Sequence, residues 1–369
     1  MVVVDLDRTD LVPSRDEIGA EPCSGATGPA AAGPPPSVRR PDRWHPLAGV
    51  ELLDRLRVTG RRRPLADPDL EQRLRSGLDH GLLLEVADPV VDGPEGPPLV
   101  VTKDRLTRAL ACEAHAEPTG FGDRTPTTGL ACGALIDVLF RQLVTVGALG
   151  DPMADGLAAL GVDDRQRPLV DWIERLPPAE RGELEAEVVR QARGLECRWP
   201  ALEPSWLPRT QEVLRARVAR GTVELSARVD LAIGRPAVDE ASVALVEVKS
   251  GARSRQHRAD LHFYALVETL RNSVPPFVVA TYYTRTGELD VEPVTEDLLS
   301  AAVRRTVVGT RTLRELERGV VVQPPGGLCG RCTTLPGWGM GRAAAAGAGP
   351  EQPREPAGPH PARHHGGRR

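Results

Sequence analysis

Glu247 and Lys249 stand two apart at the end of the apolar run 243–249, and Asp230 lies 17 positions before Glu247. Residues two apart on a strand share a face, so this carboxylate and this ammonium would point the same way. If 222–234 and 243–249 pair as a hairpin, Asp230 approaches Glu247. Two carboxylates and a strand carbonyl, here that of Val248, are oxygen ligands suited to Mg²⁺ or Mn²⁺. Such an ion polarises a phosphate ester and lowers the pKa of a bound water. Lys249 would orient that water or stabilise the charge of the transition state. The competing reading is an exposed edge strand with a Glu–Lys pair, because an ExK triplet alone is common.

Lysine usage sharpens the choice. Of the 47 basic residues only Lys103 and Lys249 are lysines, which leaves 45 arginines. A chain that gives almost every cationic position to Arg keeps Lys249 in a buried-looking strand, where a compact ammonium does what a planar guanidinium does not. Lys103 stands at the start of the helix that leads to Cys112, and no comparable chemistry is assigned to it from sequence.

The elements that must position these residues follow from periodicity. Thr102 is a plausible N-cap for a helix with Leu106, Ala109 and Leu110 on one face. A second helix, from about 129 to 146, carries Ile136, Phe140, Leu143 and Val144, with Asp137 beside that stripe. Helices over about 166–177 and 178–195 follow, the latter opening on Pro178. Val223, Leu225, Ala227 and Val229 then alternate with polar residues, as in a half-buried strand, whereas 243–249 reads as a central strand covered on both faces. Phe263, Leu266, Val267 and Leu270 give the apolar face of the next helix. Strands over 277–283 and 288–291 and a long helix over 295–318 complete an α/β core on which helices are packed.

On these residues the chain resembles the PD-(D/E)XK superfamily. The stretch Arg228-Val-Asp230-Leu, then Leu245-Val-Glu247-Val-Lys249-Ser-Gly, then a helix with Asp260 and Tyr264 is most similar to the RecB-type exonuclease branch. The resemblance spans about 101–340. It implies a restriction-endonuclease-like core, a central mixed sheet flanked by helices, with an added N-terminal helical region. It also implies a metal-dependent DNA nuclease of repair, recombination or defence, with Asp230 and Glu247 on the metal and Lys249 in catalysis. Asp260 and Tyr264 take the places of a Gln-x-x-x-Tyr pattern, on a polar face shared with His257. Arg253, Arg255 and Arg258 are placed either for backbone phosphates or as a solvated loop. Relatives carry a histidine metal ligand where this chain has Asp137, which is either a substitute ligand or a surface residue. Iron–sulfur members use four cysteines; here Cys112, Cys329 and Cys332 are present, but the fourth position is Trp338. An intact iron–sulfur cluster is therefore disfavoured. The three thiols could hold Zn²⁺ with another ligand, or be remnants of a lost site. A non-catalytic nuclease-fold protein, binding nucleic acid or serving as a subunit of a repair complex, is the alternative.

Composition bounds the rest. The ordinary charged and apolar fractions and a net charge of −4 neither advertise nor exclude a nucleic-acid binder. The expected partner is DNA, single-stranded or with free ends. No GxxxxGK[ST] loop is present, so a helicase or ATPase partner would be a separate chain. No apolar run is expected to span a membrane, and Met1-Val-Val-Val-Asp5 lacks the basic start of a signal peptide. A cytoplasmic location is expected, with Cys23, Cys132 and Cys197 as unpaired thiols. The expected organisation is a disordered arm at 1–45, a weakly defined region at 46–100, the nuclease domain at 101–340 with its catalytic core at 208–292, and a disordered tail at 341–369.

Overall fold

The computed structural model describes residues 64–83, 97–111 and 126–317. The expected arms at 1–45 and 341–369, and Cys23, Cys112, Cys329 and Cys332, lie outside them. The described chain begins with α1 (Leu70–Leu83), whose Leu70, Leu74, Leu78 and Leu82 recur every four residues and are all buried. Strand β1 (Leu99–Thr102) runs directly into α2 (Lys103–Ala111), with the Thr102 hydroxyl accepting the backbone N–H of Arg105 at 3.2 Å. Thr102 is thus the cap that its position suggested.

Four helices follow: α3 (Thr128–Val146), α4 (Pro152–Gly161), α5 (Arg167–Glu174) and α6 (Pro178–Arg198). Thr127 caps α3, and Gly147 ends it with φ +86°, a left-handed position that glycine takes without strain. By length and composition α3 could cross a membrane, contrary to the expectation that no such run exists. Here its Leu135, Ile136, Leu139 and Phe140 are buried among the residues of α4, α5 and α6. The short α4 escapes sequence reading because two of its ten residues are glycines. A Cβ at Gly156 would sit 2.8 Å from the Leu135 side chain, so close helix packing explains that residue.

The six-stranded mixed sheet runs β1-β3-β4-β5-β6, and β2 pairs with β3 as well. Its remaining strands are β2 (Arg209–Val218), β3 (Val223–Ile233), β4 (Ala244–Lys249), β5 (Val278–Tyr283) and β6 (Glu288–Pro293). β3 is antiparallel to β2 and β4 and parallel to β1, while β4 and β5 are parallel. Successive residues of β4 enter different apolar clusters: Leu245 joins α1, α2, α7 (Arg255–Asn272) and α8 (Glu296–Glu317), whereas Ala244 and Val246 join α3 to α6. Helices therefore cover both faces, which accounts for the nearly continuous apolar sequence of this strand. The expected central mixed sheet flanked by helices is what the chain forms.

Two local features break the simple pattern. Gln211 in β2 has φ +55° and is skipped in the pairing of Thr210 with Leu231 and Glu212 with Val229. Asp230 opposite it is skipped as well and the register continues unshifted, so the ladder is interrupted at this single pair. Helix α7 is buried without interruption from Phe263 to Leu270.

Candidate active site around Glu247

The β3–β4 register pairs Leu231 with Val246, so continuing the antiparallel ladder sets Asp230 opposite Glu247. No backbone pair is made there. Instead the Asp230 carboxylate accepts the backbone N–H of Val248 at 2.8 Å, closing the end of the ladder with a side chain. Glu247 shares its face of β4 with Leu245 and Lys249, and only 2% of it is exposed. The reading of an exposed edge-strand pair is thereby overturned.

Lys249 Nζ donates to Glu247 Oε1 at 2.6 Å. Lys103 Nζ donates to the same oxygen at 2.5 Å, so both lysines of the chain meet on one carboxylate atom. Lys103, to which sequence assigned no chemistry, belongs to the site. The signal that marked Lys249, scarcity, applied to Lys103 equally; what sequence lacked was the contact across 144 positions. Tyr264 completes the cluster: its hydroxyl donates to Glu247 Oε1 at 3.5 Å, and Lys103 lies 5.2 Å from its ring centroid. Tyr264 is fully buried, so the expected polar face of this helix is an interior one. Three donors thus converge on Oε1, while Oε2 is buried with no hydrogen-bond partner.

A cavity of about 840 Å³ opens over these groups, lined by Lys103, Asp137, Asp230, Glu247, Val248 and Lys249, and also by Arg165, Arg228 and His257. Asp137 projects from α3 and is half-buried; it accepts from Gln211 Nε2 at 3.0 Å and pairs with Arg141 at 3.3 Å. The left-handed backbone at Gln211 therefore aims an amide at a cavity carboxylate. Asp260 does not line the cavity. Its Oδ1 accepts from Gln256 at 2.7 Å and from the Thr107 hydroxyl at 3.4 Å, which ties α7 to α2 one turn beyond Lys103. Arg253 pairs with Asp290 and Glu288, and Arg258 with Glu292, so β6 already engages these two arginines.

Burial and like charge set the protonation of the carboxylates. Burial pushes Asp230 well above the ordinary carboxylate value, and the charges of Glu247 and Asp137 push the same way. Burial alone would raise Glu247 too, but Lys103 and Lys249 hold it below its usual value. Asp137 is raised by burial, with Arg141 opposing and Glu247 adding. His257 is lowered to about 4, by burial first and then by Lys249, so its imidazole is neutral at physiological pH.

Among the described residues no three His, Cys, Asp or Glu side chains converge as a ready-made metal site. The residues nevertheless fit a hard cation, on the evidence of the unpartnered Glu247 Oε2 and of an Asp230 whose ionisation two neighbouring carboxylates oppose. Cys132 is a buried free thiol, as expected, whereas Cys197 is disulfide-bonded and not an unpaired thiol.

No family model matches the chain, and no curated protein does. Solved structures do align with it, and two serve as examples. One, from Eubacterium rectale and described as "Putative exonuclease", is 14% identical over 63% of this chain and 86% of that chain, with a TM-score of 0.40. The other, SSO0001, is 12% identical over 73% of this chain and 95% of that chain, with a TM-score of 0.29. At those scores neither alignment bears on the fold or the reaction.

Proposed function

We propose that the protein is a nuclease that hydrolyses phosphodiester bonds with the aid of a divalent cation, Mg²⁺ or Mn²⁺. The observation that carries this reading is the convergence of Asp230, Glu247 and Lys249 at the end of β4 in a cavity that also contains Asp137. Asp230 and the free Oε2 of Glu247, with the Val248 carbonyl, would hold the ion, and Asp137 adds a further carboxylate. When bound, the ion would polarise the phosphate and lower the pKa of the attacking water. Lys249 supplies a fixed ammonium toward the developing negative charge, and burial of its partner Glu247 keeps it in place. Tyr264 orients Glu247, and Asp260 acts at one remove by bracing α2.

DNA with a free or single-stranded end is the substrate class this reading favours, in repair, recombination or defence. The resemblance to RecB-type PD-(D/E)XK exonucleases supports it, and a helicase or ATPase partner would be a separate cytoplasmic chain. The test is cleavage of end-labelled single- and double-stranded DNA with Mg²⁺, with Mn²⁺ and with chelator. Activity should need the metal and vanish in Lys249→Ala and Asp230→Ala. Full activity in either variant removes the assigned roles.

One observation favours a second reading, a non-catalytic nucleic-acid-binding protein or complex subunit. Two ammonium groups already neutralise Glu247 without any metal. Metal-independent DNA binding with no cleavage at any Mn²⁺ concentration would select it.

A further inference from the structure

Of the two cations on Glu247, Lys103 is the one that the hydrolytic reading leaves without a task. Its placement is built, not incidental. It is the first residue of α2, fixed by the Thr102 cap and by Arg105, which donates to the Val100 carbonyl and pairs with Glu317 at 3.1 Å. Its side chain is 22% exposed, about as buried as that of Lys249 at 21%, and the Tyr264 ring flanks it. It occupies the same Glu247 oxygen as Lys249 and leaves the other oxygen bare. In a chain that uses Arg at 45 of its 47 basic positions, this compact point charge has been kept.

We propose that Lys103 is an internal counter-cation. It balances the Asp137, Asp230 and Glu247 carboxylates while no metal is bound, and it thereby weakens and sets the affinity of the divalent-cation site. This rests on reading the cavity as such a site. Three carboxylates around one cavity repel each other; Arg141 and Arg228 offset this at Asp137, and the two ammonium groups offset it at Glu247. A divalent ion entering beside Glu247 Oε2 then meets Lys103 as a like charge. Removing Lys103 strips that repulsion and deepens the negative potential that the ion sees. Lys249 does not make Lys103 redundant, because removing either leaves Glu247, whose charge Asp230 opposes, with one ammonium instead of two.

The test is calorimetric titration of Mn²⁺ into the full chain without DNA, for the parent protein, Lys103→Met, Lys103→Gln and Lys103→Arg, with thermal melting in chelator and in Mn²⁺. Both neutral variants should bind Mn²⁺ at least about tenfold more tightly. They should melt lower than the parent in chelator and recover in Mn²⁺. Lys103→Arg keeps the charge but not its compactness, and should bind Mn²⁺ closer to the parent than the neutral variants do. If the neutral variants bind Mn²⁺ no more tightly than the parent, Lys103 is not a counter-cation; a DNA contact would show this pattern, with a changed KM instead. If neither the parent nor any variant binds Mn²⁺, the cation site itself is refuted, and the counter-cation with it. The glutamine variant keeps a donor for Glu247, so the measurement stands even if the methionine variant does not fold.

Discussion

Asp230→Asn should make the metal-free protein more stable while abolishing cleavage. The carboxylate is buried, opposed by the charges of Glu247 and Asp137 and supported by Lys249 and the Val248 N–H. Two like charges against one opposite charge leave about one unit of net repulsion. At an effective dielectric of about 20 and a separation of about 5 Å this is about 3 kcal/mol. The water in an open cavity reduces that to about 1–2 kcal/mol. The amide oxygen of Asn can still accept the Val248 N–H, so the neutral isostere removes repulsion without losing the ladder closure. Each kcal/mol raises Tm by about 2–4 °C in a domain of this size, so the variant should melt about 2–8 °C higher in chelator.

The pH dependence carries the sign. A group whose folded pKa is raised contributes stability below its unfolded value and loses it as pH rises through the folded value. The parent protein should therefore lose stability as pH rises from about 4 toward neutrality on account of Asp230, and Asp230→Asn should not. Glu247 acts oppositely: its folded pKa is depressed, so its contribution is present above the unfolded value and fails only as pH falls through the folded one. Denaturant melts of both proteins in chelator across pH 4–8 would read the difference. A gain that is equal at pH 4 and pH 8, or a variant less stable than the parent at pH 8, would refute the charge argument.

Other expectations concern the surroundings. A Cβ at Gly309 would lie 2.2 Å from the Leu106 side chain, one turn beyond Lys103, so Gly309→Ala should cost about 1–3 kcal/mol in denaturant unfolding. His257, lowered to about 4, should not shape activity between pH 6 and 8: His257→Gln should leave the pH–rate profile unchanged in form. Arg228 lines the cavity whereas Arg253 is held by Asp290 and Glu288. Arg228→Ala should thus weaken DNA binding and lower the salt slope by about one, and Arg253→Ala should leave both nearly unchanged.

Much of the sheet was legible because its signals are local. The run 243–249 announces a strand covered on both sides, and the alternation from Val223 to Val229 announces its neighbour, so the Asp230–Glu247 approach follows from their pairing. What sequence concealed depends on elements far apart. β2 was missed because its first four residues, Arg209 to Glu212, are polar and half-buried and Val213 faces solvent, which leaves only Leu214, Ala216 and Val218 as its buried alternation. Tyr264 was expected on a polar face because helix periodicity shows which side is apolar, not how many layers cover the helix. Here α8 and α2 also pack on α7, and the hydroxyl finds its partner inside.

The charge balance of the cavity joins these observations. Burying Glu247 without a partner would cost several kcal/mol, and one lysine two residues away on the same strand is a local answer to that cost. The second lysine is not local: β1 must pair with β3 to start α2 where it does, so the ion pair forms only when the sheet is assembled. An arrangement devoted to stability alone would satisfy both carboxylate oxygens of Glu247. This one crowds three donors onto Oε1, leaves Oε2 bare, and sets opposite it an Asp230 that resists ionising. Such imbalance persists only where the rest of the fold overrides it, and a bound cation would resolve it. The same residues that make the metal-free site strained are those that would make it a site.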